Sequence, residues 1–205
     1  MLAAAPAAHA MTSDMPEQSS FCSMLDPLAA YPIKHCMNDL PQRALAGNPD
    51  DALFQSLMQL QSDGKFVDAL QQIDEQIAHR PLSPSLYFIR GMLFQAEDRQ
   101  FDAIVEFNRA LSLDPGMPSA LLQRGWARAR MHDLRGALAD TDQVLAAFPG
   151  YPAALLNKSL LLIGSGQRDK GMSMLGDLIR ASDRAGELLL VRAQLLIAEG
   201  ETDKA

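Results

Sequence analysis

The sequence predicts an all-α protein built as a solenoid of 34-residue helix-turn-helix repeats. Prolines recur at this period, and each opens a segment with the apolar pattern of a helix, where proline is tolerated in the first turn. These prolines are Pro84, Pro118 and Pro152. Small residues recur at the same spacing, at Gly91, Gly125, Ser159 and Ala193. A period of this length is typical of stacked helical hairpins.

The repeat domain is expected to span residues 50–205, which is about 4.6 units because 156/34 is 4.6. Units start at residues 50, 84, 118 and 152, and a partial unit starts at 186. Each complete unit carries two amphipathic stretches separated by a short break. The breaks are at Asp63-Gly64, Glu97-Asp98, His132-Asp133 and Gly166-Gln167. One hairpin cannot bury its apolar face alone, so the units are expected to stack.

The second unit, PSLYFIRGMLFQAEDRQFDAIVEFNRALSLDP, resembles the tetratricopeptide repeat. The residues at the family's characteristic positions are Tyr87, Gly91, Phe94, Ala103, Phe107, Ala110 and Pro115. Three positions in later units depart from the family pattern, namely Arg128, Thr141 and Asp183. The resemblance implies a right-handed α-solenoid that binds protein partners.

Residues 1–49 show no repeat pattern. Residues 1–10 end in Ala8-His9-Ala10, which fits a signal-peptidase site, although a basic segment is lacking and an unstructured leader is the alternative. Cys22 and Cys36, in the non-repeat segment 11–49, are candidates for a disulfide that would contribute roughly 3 kcal/mol. Such a bond persists only in an oxidising compartment. We therefore expect a periplasmic or secreted protein, with a cytoplasmic protein carrying two free thiols as the alternative.

Composition and motifs argue against several function classes. The net charge of −7 and the pI of about 5.0 disfavour nucleic acid as a partner. There is no apolar run of about 18 residues that would predict a membrane span. The sequence has no phosphate loop, HExxH motif or nucleophile elbow, and its four histidines are scattered. We therefore expect no enzyme activity, no cofactor and no metal.

The stretch LLQRGWARAR, residues 121–130, interleaves arginines with Trp126, the only tryptophan in the chain. One of these arginines belongs to a series of cations at a single repeat position, formed by Arg90, Arg124, Lys158 and Arg192. Glu106 and Asp140 occupy one position of the facing helices. We therefore predict ion pairs within the protein rather than a surface that binds phosphate.

In tetratricopeptide proteins the first helix of each repeat lines a concave groove. The equivalent residues here are Phe54, Met58, Phe88, Met92, Leu122, Trp126, Leu156, Leu160, Leu190 and Gln194. All are apolar except Gln194, and the Lys and Asn residues that capture acidic tails in this family are missing from these positions. The resemblance therefore implies an apolar groove for a helix or extended peptide of a partner protein.

Four alternatives stay open. The groove could be filled by residues 11–49, which contain the apolar stretch FCSMLDPLAAYPI. It could instead hold an apolar small molecule or lipid. The chain could be the repeat region of a larger enzyme or of a secretion or envelope-assembly component. The last helix, within GELLLVRAQLLIAEG, is apolar around much of its circumference, which suggests further repeats or self-association with a second copy.

Overall fold

The computed structural model describes residues 50–181 and 185–198. Within these ranges every regular element is an α-helix. The helices are α1 Asp51–Ser62, α2 Phe66–His79, α3 Pro84–Ala96, α4 Gln100–Leu113, α5 Pro118–Arg130, α6 Leu134–Ala147, α7 Pro152–Gly164, α8 Arg168–Ala181 and α9 Ala185–Ala198. The predicted all-α fold is confirmed.

Consecutive helices pack as hairpins, and the hairpins stack in chain order. The pairs α1–α2, α3–α4, α5–α6 and α7–α8 form the hairpins, and α9 packs against α8. Each second helix also contacts the first helix of the next repeat, and α1, α3, α5 and α7 contact one another in sequence. The first helices therefore form one layer and the second helices another, as in the predicted solenoid of repeats.

The turn inside each complete hairpin has the same backbone geometry. Its central residue has positive φ: 75° at Gly64, 59° at Asp98, 63° at His132 and 84° at Gly166. The following N–H donates to the carbonyl five residues earlier, as from Lys65 to Leu60 at 2.8 Å. A left-handed residue with this hydrogen bond is a Schellman ending for a helix. The predicted helix breaks are confirmed at all four places.

Small residues let the two helices of a hairpin approach closely. A Cβ added at Gly91 would lie 2.6 Å from Cε1 of Phe107 on the facing helix. In the fourth repeat Ser159 stands at the position of Gly91, and its hydroxyl donates to the carbonyl of Gly171 at 2.8 Å. Gly171 in turn stands at the position of Ala103. The fourth hairpin therefore keeps its close approach by exchanging which side carries the glycine.

Candidate partner-binding surface

The predicted groove residues lie on the first helices, two per repeat. On α3, Phe88 and Met92 are one turn apart, and Gln95 follows on the same face because residues i, i+4 and i+7 align along a helix. In the third repeat Trp126, on α5, occupies the position that Met92 has in the second. We call the face defined by these positions the concave face.

The concave face is buried along the first four repeats. The buried side chains among the predicted groove residues are Phe54, Phe88, Met92, Leu122, Trp126, Leu156 and Leu160, and Met58 is partly buried. Leu190 is the fifth-repeat counterpart of Leu156, and 66% of its surface is exposed. The side chain of Gln194 lies outside the described part of the structure.

Several of these side chains also belong to the core between the two layers. The rings of Phe88 and Phe107 lie 5.9 Å apart between centroids, at an angle of 40°. Met92 and Leu122 belong to the same apolar cluster as Phe88. In the fourth repeat Leu156 and Leu160 pack with residues of α8 and α9. Residues on this face therefore contribute to the stability of the fold.

Two polar side chains on the concave face are buried without hydrogen bonds. Both amide atoms of Gln95 and the Nε1 of Trp126 have no hydrogen-bonding partner in the described structure. Only 4% of Gln95 and 6% of Trp126 are exposed. A buried polar group without a partner costs about 1–3 kcal/mol, so such groups are rare in folded proteins.

The basic residues around Trp126 are engaged within the protein. The Nε and Nη2 of Arg124 donate to the two carboxylate oxygens of Asp140 at 3.0 and 2.6 Å. Arg128 donates to the same carboxylate at 2.8 Å. Arg130 pairs with Asp98 at 2.7 Å, and its guanidinium lies 5.0 Å from the centroid of the Trp126 ring. The basic-aromatic stretch is therefore part of the scaffold, as predicted.

Two cations of the repeated series connect three second-layer helices. Arg90 donates to Glu106 of its own repeat at 2.7 Å and to Asp74 of the preceding repeat at 2.6 Å. Arg124 likewise joins Asp140 to Asn108 of the preceding repeat at 2.7 Å. Burial lowers the pKa of Arg90, but the hydrogen bonds and charges of Glu106 and Asp74 outweigh it, so this pKa lies above its usual value. The predicted pairs with Glu106 and Asp140 are confirmed.

The series continues into the fourth repeat in a reduced form. Lys158 pairs with Asp142 of the third repeat at 2.7 Å. Asp74, Asn108 and Asp142 occupy the same position of successive second helices, each in the repeat before the cation that it binds. We call Arg90, Arg124 and Lys158 with these acceptors the inter-repeat ladder. It ties the second, third and fourth repeats each to the preceding repeat.

The described helices offer few other sites. None of them is both long enough and apolar enough to cross a membrane. Across residues 50–181 and 185–198, no three His, Cys, Asp or Glu side chains are grouped so that they could hold a metal ion. The candidate signal peptide and the candidate disulfide partners Cys22 and Cys36 lie outside the described residues.

Gln95 was not among the groove residues predicted from the sequence. Its position, three residues after Met92 and seven after Phe88, places it on the same helical face. Its counterpart in the first repeat, Gln61, is also a glutamine, whereas the third and fourth repeats have Ala129 and Ile163, so the polar residue occurs in two of the four complete repeats. Helical geometry alone could have found it.

Comparisons with solved structures identify proteins that have a similar fold. No protein-family model matches the sequence, and no curated protein matches it either. Among solved structures, the chain is similar to a tetratricopeptide repeat protein from Parabacteroides merdae ATCC 43184, with a TM-score of 0.66 and 22% identity. That match covers 77% of this chain and 62% of the other, so this chain spans less than two thirds of that protein's length.

Two structures of MamA are also similar, each at 19% identity. Their TM-scores are 0.53 and 0.54. The first match covers 72% of this chain and 81% of the MamA chain, and the second covers 75% and 93%. At these identities the comparison shows the fold, which is that of a tetratricopeptide-like repeat protein.

Proposed function

We propose that this tetratricopeptide-like solenoid is a non-catalytic scaffold that binds an apolar peptide or helix of a partner protein on its concave face. The observation that carries the proposal is the continuity of that face. The same two positions of each first helix are apolar through α1, α3, α5 and α7. Packed helices lie about 8–10 Å apart, so four of them present a strip roughly 30 Å long.

The chemistry of the strip favours an apolar ligand. Phe88, Leu122 and Trp126 offer large aromatic and aliphatic surfaces, and aromatic residues often dominate binding energies at interfaces. Met58 and Met92 add side chains that adapt to different ligand shapes. Arg90 and Arg124 are held by Glu106 and Asp140, and Arg130 beside the Trp126 ring is paired with Asp98, which disfavours an acidic peptide.

A partner must gain access to side chains that are buried in the folded chain. Because Phe88 and Trp126 are at most 6% exposed, binding on this face requires that other groups move away from it. We therefore expect a displacement step before the partner contacts these residues, and association slower than for an open groove.

Selection from a displayed library of random 12-residue peptides, with the full chain immobilised, tests the proposal. We expect the recovered peptides to carry several apolar residues. Met58→Lys should raise the Kd of a synthetic copy at least about tenfold, because the substitution places a charge on the apolar strip. Val67→Lys is the matched control on the outer layer, where Val67 is 75% exposed, and it should leave the Kd unchanged. A selection that recovers no binding peptide, or equal effects of the two substitutions, would rule out this function.

We further propose that the protein is exported, with cleavage after Ala10 and a bond between Cys22 and Cys36. The Ala8-His9-Ala10 sequence and the cysteine pair support the proposal. Thiol titration of protein purified from an oxidising compartment under denaturing conditions should detect no thiol without a reductant. Two titratable thiols in that sample would exclude the bond.

A further inference from the structure

A second pair of polar side chains lies on the concave face. Gln123 on α5 and Asn157 on α7 occupy the same repeat position, 34 residues apart. Gln123 precedes Trp126 by three residues, and Asn157 precedes Leu160 by three, so each shares a helix face with a predicted groove residue. Only 8% of Gln123 and 6% of Asn157 are exposed. Two neutral amides therefore lie on neighbouring helices of the apolar strip.

These two amides have no partner inside the protein. No hydrogen bond joins the side chain of Gln123 or Asn157 to another residue in the described part of the chain. The amide atoms of Gln95 are sealed from solvent, whereas those of Gln123 and Asn157 are not, so a ligand can reach them. A side-chain amide has two N–H donors and an acceptor oxygen, and leaving them unpaired in a mostly buried site costs free energy.

Helix packing does not require an amide at this repeat position. The second and fifth repeats have Ile89 and Val191 there, which are 0% and 3% exposed and belong to the apolar core. In the first repeat the residue is Gln55, whose amide donates to Asp51 at 3.4 Å. An apolar side chain therefore fits this position, and the unpaired amides of α5 and α7 are available to another molecule.

We propose that Gln123 and Asn157 bind the main chain of the partner, so that the concave face takes an extended segment rather than a helix. The inference rests on the proposed function and narrows it to one conformation of the ligand. An extended segment has free N–H and C=O groups that can pair with both amides. A helix uses these groups internally, so it would cover the amides without giving them partners.

The spacing of the two amides suits an extended chain. Neighbouring packed helices lie about 8–10 Å apart, and three residues of a strand span about 10 Å. Successive side chains of a strand point to opposite sides, so every second one can face the apolar strip. Neither amide is charged, and the nearby Arg124 and Arg130 are paired with Asp140 and Asp98. We therefore expect a segment with apolar residues at every second position and neutral peptide groups facing α5 and α7.

Two designed libraries of displayed 12-residue peptides test the conformation of the ligand. The first has leucine at every second position, and the second has leucine at the i, i+3, i+4, i+7 spacing of an amphipathic helix. The immobilised full chain should enrich the first library and not the second. Binders recovered only from the second library, or only from fully random peptides, would leave the proposed function standing and overturn this inference. Failure of every library to yield a binder would overturn both.

Substitution of the two amides tests their role directly. Gln123→Met and Asn157→Leu keep the size of the side chain and remove its hydrogen-bonding groups. Each should raise the Kd of a synthetic copy of the most enriched alternating peptide about fivefold, as measured by calorimetry. The midpoint of urea unfolding should stay the same or rise, because an unpaired amide is removed. The matched control is Gln71→Met on α2, where the exposed amide donates to Glu75 at 3.2 Å, and it should leave the Kd unchanged. An unchanged Kd in both amide variants would contradict the proposal.

N-methylation of the same peptide separates main-chain bonding from side-chain contacts. Neighbouring N–H groups of an extended chain point to opposite sides, so methylation at even and at odd positions removes different donors. One of the two methylated peptides should bind at least about tenfold more weakly than the other. The difference should disappear in the Gln123→Met/Asn157→Leu double variant, because the methylated peptide groups then have no amide to lose. Equal binding of the two peptides by the wild type, or a difference that persists in the double variant, would overturn the proposal.

Discussion

Gly91 sets the distance between α3 and α4. A Cβ at this position would lie 2.6 and 2.8 Å from two ring carbons of Phe107, closer than real contacts allow. We predict that Gly91→Ala lowers the free energy of unfolding by about 1–3 kcal/mol, because a buried aromatic ring must shift. Urea denaturation followed by circular dichroism measures the change.

Gly176 provides the control for this substitution. It lies inside α8, and a Cβ there would meet only the Nη1 of Arg180 at 3.5 Å. Gly176→Ala should therefore stabilise the protein by up to about 1 kcal/mol through helix propensity. If both substitutions stabilise the protein equally, the ring of Phe107 does not limit the approach of the two helices.

At the residue scale, the sequence predicted where small residues are needed better than it predicted the backbone conformation of the turns. The small residue at Gly91 followed from the repeat spacing, because close approach leaves no alternative to a small side chain. The left-handed backbone at Asp98 and His132 did not follow, since their counterparts Gly64 and Gly166 carry the usual signal for that conformation and they do not. The shared hydrogen bond of the turn fixes their backbone instead.

The inter-repeat ladder acts at the scale of elements, where Arg124 joins α5 to both neighbouring second helices. Asp140 is only 3% exposed at its side chain and keeps Arg128 when Arg124 is removed. We predict that Arg124→Met lowers the free energy of unfolding by about 2 kcal/mol, less than the roughly 3–5 kcal/mol typical when a buried charge loses its only partner. Denaturant unfolding measures this loss.

A second variant tests whether the loss comes from the stranded carboxylate. Arg124→Met/Asp140→Leu should be more stable than Arg124→Met alone, because no buried charge then lacks its main partner. Arg180→Met removes an exposed ion pair on α8 and should change stability by no more than about 0.5 kcal/mol. A double variant less stable than the single one would contradict the explanation.

The elements themselves were predictable because the pattern repeats. Each helix of the second repeat has counterparts in the other repeats, so an ambiguous stretch such as Arg168–Ala181 could be aligned with a clear one such as Gln100–Leu113. The burial of the concave face was less predictable. Leu156 and Leu190 occupy the same repeat position and are the same residue, yet one is buried and the other largely exposed. Burial depends on neighbours that a local pattern does not encode.

At the scale of the whole molecule, the apolar surface is unevenly distributed. The outer layer exposes single apolar side chains, such as Val67 and Phe101, whose exposure alone needs no special explanation. On α9, Leu189 and Leu190 are adjacent and are 49% and 66% exposed. The sequence predicted an apolar circumference for this helix, and self-association through it stays a prediction.

We expect the inter-repeat ladder also to affect how strongly neighbouring repeats unfold together. In a linear array, stability is a sum of repeat terms and nearest-neighbour terms, so a weak junction lets one end open independently. The junction before α9 lacks a ladder acceptor, because Gly176 occupies in α8 the position that Asp142 occupies in α6. Apolar packing of α9 against α7 and α8 holds that junction instead.

Native-state hydrogen exchange makes this difference visible. We predict that amides of α9 exchange at least about tenfold faster than those of α3 and α5, because the junction before α9 lacks a ladder contact and its local opening costs less free energy. Gly176→Asp should slow exchange in α9 by supplying the acceptor, whereas Gly176→Ala should not. Equal protection across all five repeats would mean that the array opens as one cooperative unit. If protection instead falls from α5 toward α9, the ladder sets how many neighbouring repeats open together. That number is then larger in the middle of the array than near α9.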